Sequence, residues 1–115
     1  MTDGLGLYNE LQDAMDDLDR VIAEHADLGR ELTTTECRYY RVKTLRSYEL
    51  MEQGYSATAV AMLIKGEPRV NDAMSAYHAA ELSLKNAAEA IQAQKRRVDI
   101  LREEMSREWA SAGKR

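Results

Sequence analysis

Cysteine and proline occur once each in this 115-residue chain, histidine occurs twice, and no long stretch is both apolar and free of charge. Each scarcity excludes something. A membrane span needs about 18 consecutive apolar residues, and no run approaches that length. The opening Met1-Thr2-Asp3-Gly4 lacks the basic and apolar regions of a secretion signal, so a cytoplasmic protein is expected. Cys37 has no partner within one chain, which excludes an internal disulfide or a cysteine-built zinc site and fits a reducing compartment. His25 and His78 fall on different predicted helices, and neither stands in a Glu-x-x-His arrangement, so no metal site is expected. Cys37 has no histidine beside it, and it reads as a semi-buried free thiol in place of a nucleophile. There is no glycine-rich phosphate loop. With no catalytic constellation, the chain is expected to be neither an enzyme nor a cofactor binder.

What is present is helical. A content of 44% hydrophobic and 31% charged residues describes one ordinary folded domain. Between residues 30 and 112 the only glycines are Gly54 and Gly66, and Pro68 follows closely. These divide the chain into a helix over about 5–53, with Gly29 as a weak point, a short helix over about 57–65 and a helix over about 68–109. A flexible tail is expected over 110–115. Gly54 suits the left-handed position after a helix, Ser56 a cap, and Pro68 a first helical position. Helices of such lengths reach roughly 60–75 Å at the rise of an α-helix, far beyond the usual globular case.

Their spacing is that of a coiled coil. A 3,4 alternation runs through Leu7, Leu11, Ala14, Leu18, Val21, His25, Leu28, Leu32, Thr35, Tyr39 and Val42, then drifts toward Leu45 and Tyr48. The closing helix carries the same seam at Val70, Ala73, Tyr77, Ala80, Leu84, Ala87, Ile91, Gln94, Val98, Leu101 and Met105. Folding the chain back at the connector makes facing positions sum to about 119, within one helical turn, and large residues then often meet small ones. Leu18 then faces Leu101, Ala14 Met105, Tyr39 Ala80 and Val42 Tyr77, and the polar His25 meets Gln94. Residues 1–31 hold nine acids against Arg20 and Arg30, a net of −7, while 95–115 hold seven bases against four acids, a net of +3. The hairpin lays these arms side by side. The expected fold is an all-α, long antiparallel helical hairpin with a short helix at its tip, associating into a bundle.

Association follows from apolar residues the seam leaves over. Tyr8, Met15, Ile22, Tyr40, Leu50, Met51, Met74, Leu82, Ile100 and Trp109 lie off it, and the connector adds Val60, Met62, Leu63 and Ile64. A homo-oligomer is therefore expected. One basic cluster suggests a binding surface: Arg38, Tyr40, Arg41, Lys43 and Arg46 on the first helix, with Lys65 and Arg69 near the connector. Arginine and lysine with interleaved tyrosine contact phosphates and stack on bases, so nucleic acid or a nucleotide is a candidate ligand there. The plainer alternative is packed tyrosines with solvated bases around them.

The segment Tyr40 to Gly66, YRVKTLRSYELMEQGYSATAVAMLIKG, precedes a long alanine-rich helix ending in Arg107-Glu108-Trp109. In this pattern, which covers most of the chain from about Tyr8, the protein resembles small phage and prophage proteins of Gram-positive bacteria. The resemblance implies the same helix, glycine, short helix, glycine, helix order and a setting in DNA replication or recombination. It carries no catalytic residue. The expected function is a phage-derived, self-associating interaction protein in a bacterial cytoplasm, with a protein or nucleic-acid partner. A binder that sequesters a small nucleotide signal and a purely structural oligomer are the alternatives.

Overall fold

The computed structural model describes residues 4–113, which form three α-helices: α1 (Gly4–Glu52), α2 (Ala57–Ile64) and α3 (Pro68–Gly113). The fold is the expected all-α helical hairpin with a short helix at its tip. Met1, Thr2, Asp3, Lys114 and Arg115, counted above in the leader or the charged arms, lie outside the described residues. Gly29 does not interrupt α1. Residues 110–113, expected as tail, continue α3.

The bend is built as its residue types dictate. Gly54 takes φ +98°, its N–H donates to the Met51 carbonyl at 3.0 Å, and the Tyr55 N–H donates to the Leu50 carbonyl at 3.2 Å. This paired closure satisfies carbonyls that the end of α1 leaves free, and it uses the left-handed conformation that only glycine adopts without strain. Ser56 then caps α2, its Oγ accepting from the Ala59 N–H at 3.2 Å. Pro68 opens α3 where its missing N–H is not needed, and the Glu67 carbonyl accepts the first helical bond, from Asn71.

The chain packs as two compact units, residues 4–26 with 86–113 and residues 27–85. In the first, Leu7, Ala14, Val98 and Leu101 form a buried cluster against which Leu11, Met15, Leu18 and Met105 pack. All eight were expected there except Met15, which lies one position off the seam. His25 and Gln94 are both half-buried. Arg97 Nη1 reaches Asp17 Oδ2 at 2.9 Å, so the basic and acidic arms do meet. The pair is exposed and contributes about 1 kcal/mol at most.

In the second unit the seam does not drift toward Leu45 and Tyr48, which are 57% and 61% exposed. The 3,4 pattern instead continues to half-buried Arg46, and a second four-residue step reaches buried Leu50. Leu50 packs with Val60, Ile64 and Val70, joined by Tyr39 and Val42, so three of the residues expected to need a partner's cover are covered by the chain itself. Register also shifts. Tyr77 stacks on Tyr39, a sum of 116 that stays within one turn of the expected 119, whereas Arg46 pairs with Glu67 at a sum of 113. With this offset α1 outruns the start of α3, and α2 folds back to cover the overhang at Leu50.

Candidate functional site

The basic cluster lies entirely within residues 27–85. Its members separate into three settings. Arg46 is drawn into the seam: Nη1 lies 2.9 Å from Glu49 Oε2, Nε lies 3.2 Å from Glu67 Oε2, and the side chain is 24% exposed. The Nε contact is an ion pair whose angle falls outside that of a hydrogen bond, which leaves the buried Nε–H without a well-aligned acceptor. The carboxylates of Glu49 first and Glu67 second hold the guanidinium above its usual range, against the opposing effect of desolvation. Its charge is already answered, and it is not available to a phosphate.

Lys43 and Lys65 stand in a different setting. With Ser47 and Met51 of α1, which follow Lys43 at four-residue steps, and Ala57, Val60, Ala61 and Ile64 of α2, they line a groove of about 390 Å³. The floor is apolar and no acid lines it. Ser47 Oγ donates to the Lys43 carbonyl at 2.8 Å. Lys43 Nζ also sits 5.7 Å from the centre of the Tyr39 ring, within cation–π range. Met51 in the groove's lining is exposed.

Arg38 and Arg41 are elsewhere. At about 100° of rotation per residue, Arg38 is turned some 140° from Lys43 around α1, so neighbours in sequence are separated by the seam between them. Arg69 is exposed in the first turn of α3. Among the described residues, Arg38, Arg41, Lys43, Lys65 and Arg69 form no ion pair. The single predicted cluster is thus a groove bracketed by Lys43 and Lys65, an ion-paired Arg46, Arg38 and Arg41 on other faces of α1, and Arg69 on α3.

An aromatic row was not expected. Tyr40 and Tyr39 have ring centres 5.1 Å apart, Tyr39 stacks on Tyr77 at 5.8 Å, and Tyr77 stacks on His78 at 5.4 Å. Adjacent aromatics on each helix, Tyr39-Tyr40 and Tyr77-His78, were the available signal once the chain was folded back. Burial first, and then the carboxylates of Glu36 and Glu81, push the Tyr77 phenol above its ordinary range. His78 Nδ1 lies 3.0 Å from Glu81 Oε1. Tyr40, at the end of the row, is 53% exposed and available for stacking.

Cys37 is exposed and not semi-buried as expected. Among the described residues no group of three or more His, Cys, Asp or Glu could hold a metal ion, and no helix is long and apolar enough to cross a membrane. Compared with known proteins, the chain matches no family model, no curated protein and no solved structure. The phage resemblance therefore rests on the sequence pattern alone.

Proposed function

We propose that the protein is an oligomeric interaction protein that takes up an acidic, amphipathic helix of a partner protein in the groove between α1 and α2. The observation that carries this reading is the groove's composition, an apolar floor of Met51, Val60, Ala61 and Ile64 bracketed by Lys43 and Lys65 with no acid in the lining. Apolar anchors spaced along one helical face, flanked by carboxylates, fit such a groove. Self-association is supported by exposed Tyr8, Ile22, Leu82, Ile100 and Trp109, which the hairpin leaves without cover.

A photo-reactive residue in place of Met51 tests the groove in host lysate. The cross-linked segments are expected to combine acids with apolar residues at helical spacing, and Lys43→Glu with Lys65→Glu is expected to abolish the cross-link. Captured segments without acids, or capture unaffected by the charge reversal, sink the reading.

Nucleic acid is the second reading, favoured by the unpaired cations and by exposed Tyr40, and it matches the replication or recombination setting that the phage resemblance implies. Single-stranded DNA is then bound with steep salt dependence. Removing Arg38, Arg41 and Lys65 together flattens the slope of log affinity against log salt by about 2. A small nucleotide signal in the groove would instead raise the melting temperature without a salt slope of that size.

A further inference from the structure

Within residues 4–26 and 86–113, a second apolar line follows α1 beside the seam. Tyr8, Met15 and Ile22 are spaced seven residues apart, so they fall on one face with a drift of only about 20° per step. Tyr8 is 48% and Ile22 45% exposed, and Met15 between them lines a groove of about 200 Å³ against α3. That groove carries charges of both signs, Asp19 and Asp99 against Lys95 and Arg102. Past Arg102 the surface continues to Met105 and exposed Trp109.

A heptad-spaced apolar line beside a filled seam is what a further helix packs on. The line is symmetric about Met15, with one large residue seven positions to either side. The Arg97–Asp17 contact sets the levels of the two helices, placing Arg102 about a turn below Met15 and Asp19 about a turn above it. We propose that this face binds a second copy of the chain about a two-fold axis passing at Met15. Met15 then meets its own copy, Tyr8 meets the partner's Ile22, and Arg102 meets the partner's Asp19. Asp99, nearest the axis, lies three and four residues from Arg102 and Lys95 on its own helix. The charges are self-complementary with equal numbers of each sign, which suits a copy of the same face better than a wholly acidic or wholly basic partner. The resulting association adds two helices to two, the four-helix arrangement in which such lines are buried.

This inference rests on the self-association proposed above and can fail separately from it. The test uses the full chain with Cys37→Ser, so that a single introduced thiol reports. Met15→Cys is expected to form a disulfide-linked dimer under mild oxidation, because a residue at a two-fold axis faces itself. Ile22→Cys alone is expected to link poorly, yet to link to Tyr8→Cys when the two proteins are mixed. In sedimentation, Ile22→Glu is expected to weaken the dimer at least about tenfold while its circular dichroism stays helical. A native chain sedimenting as a 13.0 kDa monomer overturns self-association and this face together. A native dimer that Ile22→Glu leaves intact, with no Met15→Cys link, overturns this face alone.

Discussion

The two compact units use the same 3,4 spacing with different contents. Residues 4–26 and 86–113 fill it largely with aliphatic side chains, with half-buried His25 and Gln94 among them, and 4–26 carry a net charge of −5 against zero for 86–113. Residues 27–85 fill it with Thr35, Tyr39, Tyr77 and the Arg46–Glu67 pair before closing on Leu50, Val60, Ile64 and Val70. The first unit holds together by apolar burial along two helices. The second mixes polar and aromatic side chains with aliphatic ones such as buried Ala73 and Ala80, and is sealed at one end by a third helix. Spacing therefore specifies where helices touch, and residue type specifies what the contact is made of. The groove between α1 and α2 and the aromatic row both belong to the unit with the less apolar seam.

The largest effect that could break this contrast is expected from Leu50→Ala. Leu50 is 4% exposed and enclosed by α1, α2 and α3, so the space it leaves cannot easily collapse. A loss of about 4–5 kcal/mol is expected in urea unfolding, against about 2–3 for Leu101→Ala, whose two-helix setting can relax toward solvent. Equal losses would mean that the third helix adds nothing to the closure. Gly54→Ala comes next, at about 1–2 kcal/mol, since alanine resists the φ of +98° even though no atom lies within 4 Å of its added methyl. A neutral result in thermal melting would show that the end of α1 can unwind freely.

Gly29→Ala is expected to act in the other direction. The site is mid-helix with open space around it, so stability should rise by about 0.5–1 kcal/mol. Tyr77 adds a pH signature confined to the second unit. Its folded phenol ionises later than its unfolded one, so between the two values the unfolded chain holds fewer protons and stability falls as pH rises. The contribution is fully present below the ordinary tyrosine value of about 10 and fades above it. Tyr77→Phe should flatten the alkaline limb of a melting-temperature profile, and an unchanged limb would assign the loss to other groups. Smallest of all, Arg97→Gln should cost about 0.5 kcal/mol or less, and the cost should vanish in high salt.

Much of the fold was legible because helix punctuation is local. Gly54, Ser56 and Pro68 each have a backbone preference that a single residue expresses, and the seam from Leu7 to Val42 follows from spacing alone. Beyond Val42 apolar character misled. Leu45 and Tyr48 look like seam residues, whereas Arg46 fills the position by laying its aliphatic stem inward and its charge on Glu67. The site was legible only in part. Arg38 and Lys43 are close along the chain but far around the helix, and the groove at Lys43 and Lys65 exists only once α2 folds back onto the overhang of α1.

That order of elements also governs how the protein is made. Synthesis finishes α1 at Glu52, and α3 ends 61 residues later, which at usual rates is a delay of roughly 3–12 s. Through much of that interval the N-terminal part of a 49-residue helix has no α3 beside its seam. The earliest contacts that can form join Leu50 to Val60 and Ile64, across a short loop, and the last join Leu7 and Leu101, across nearly the whole chain. The contacts available first are those at the tip, so whatever shields α1 on the ribosome meets its N-terminal end longest.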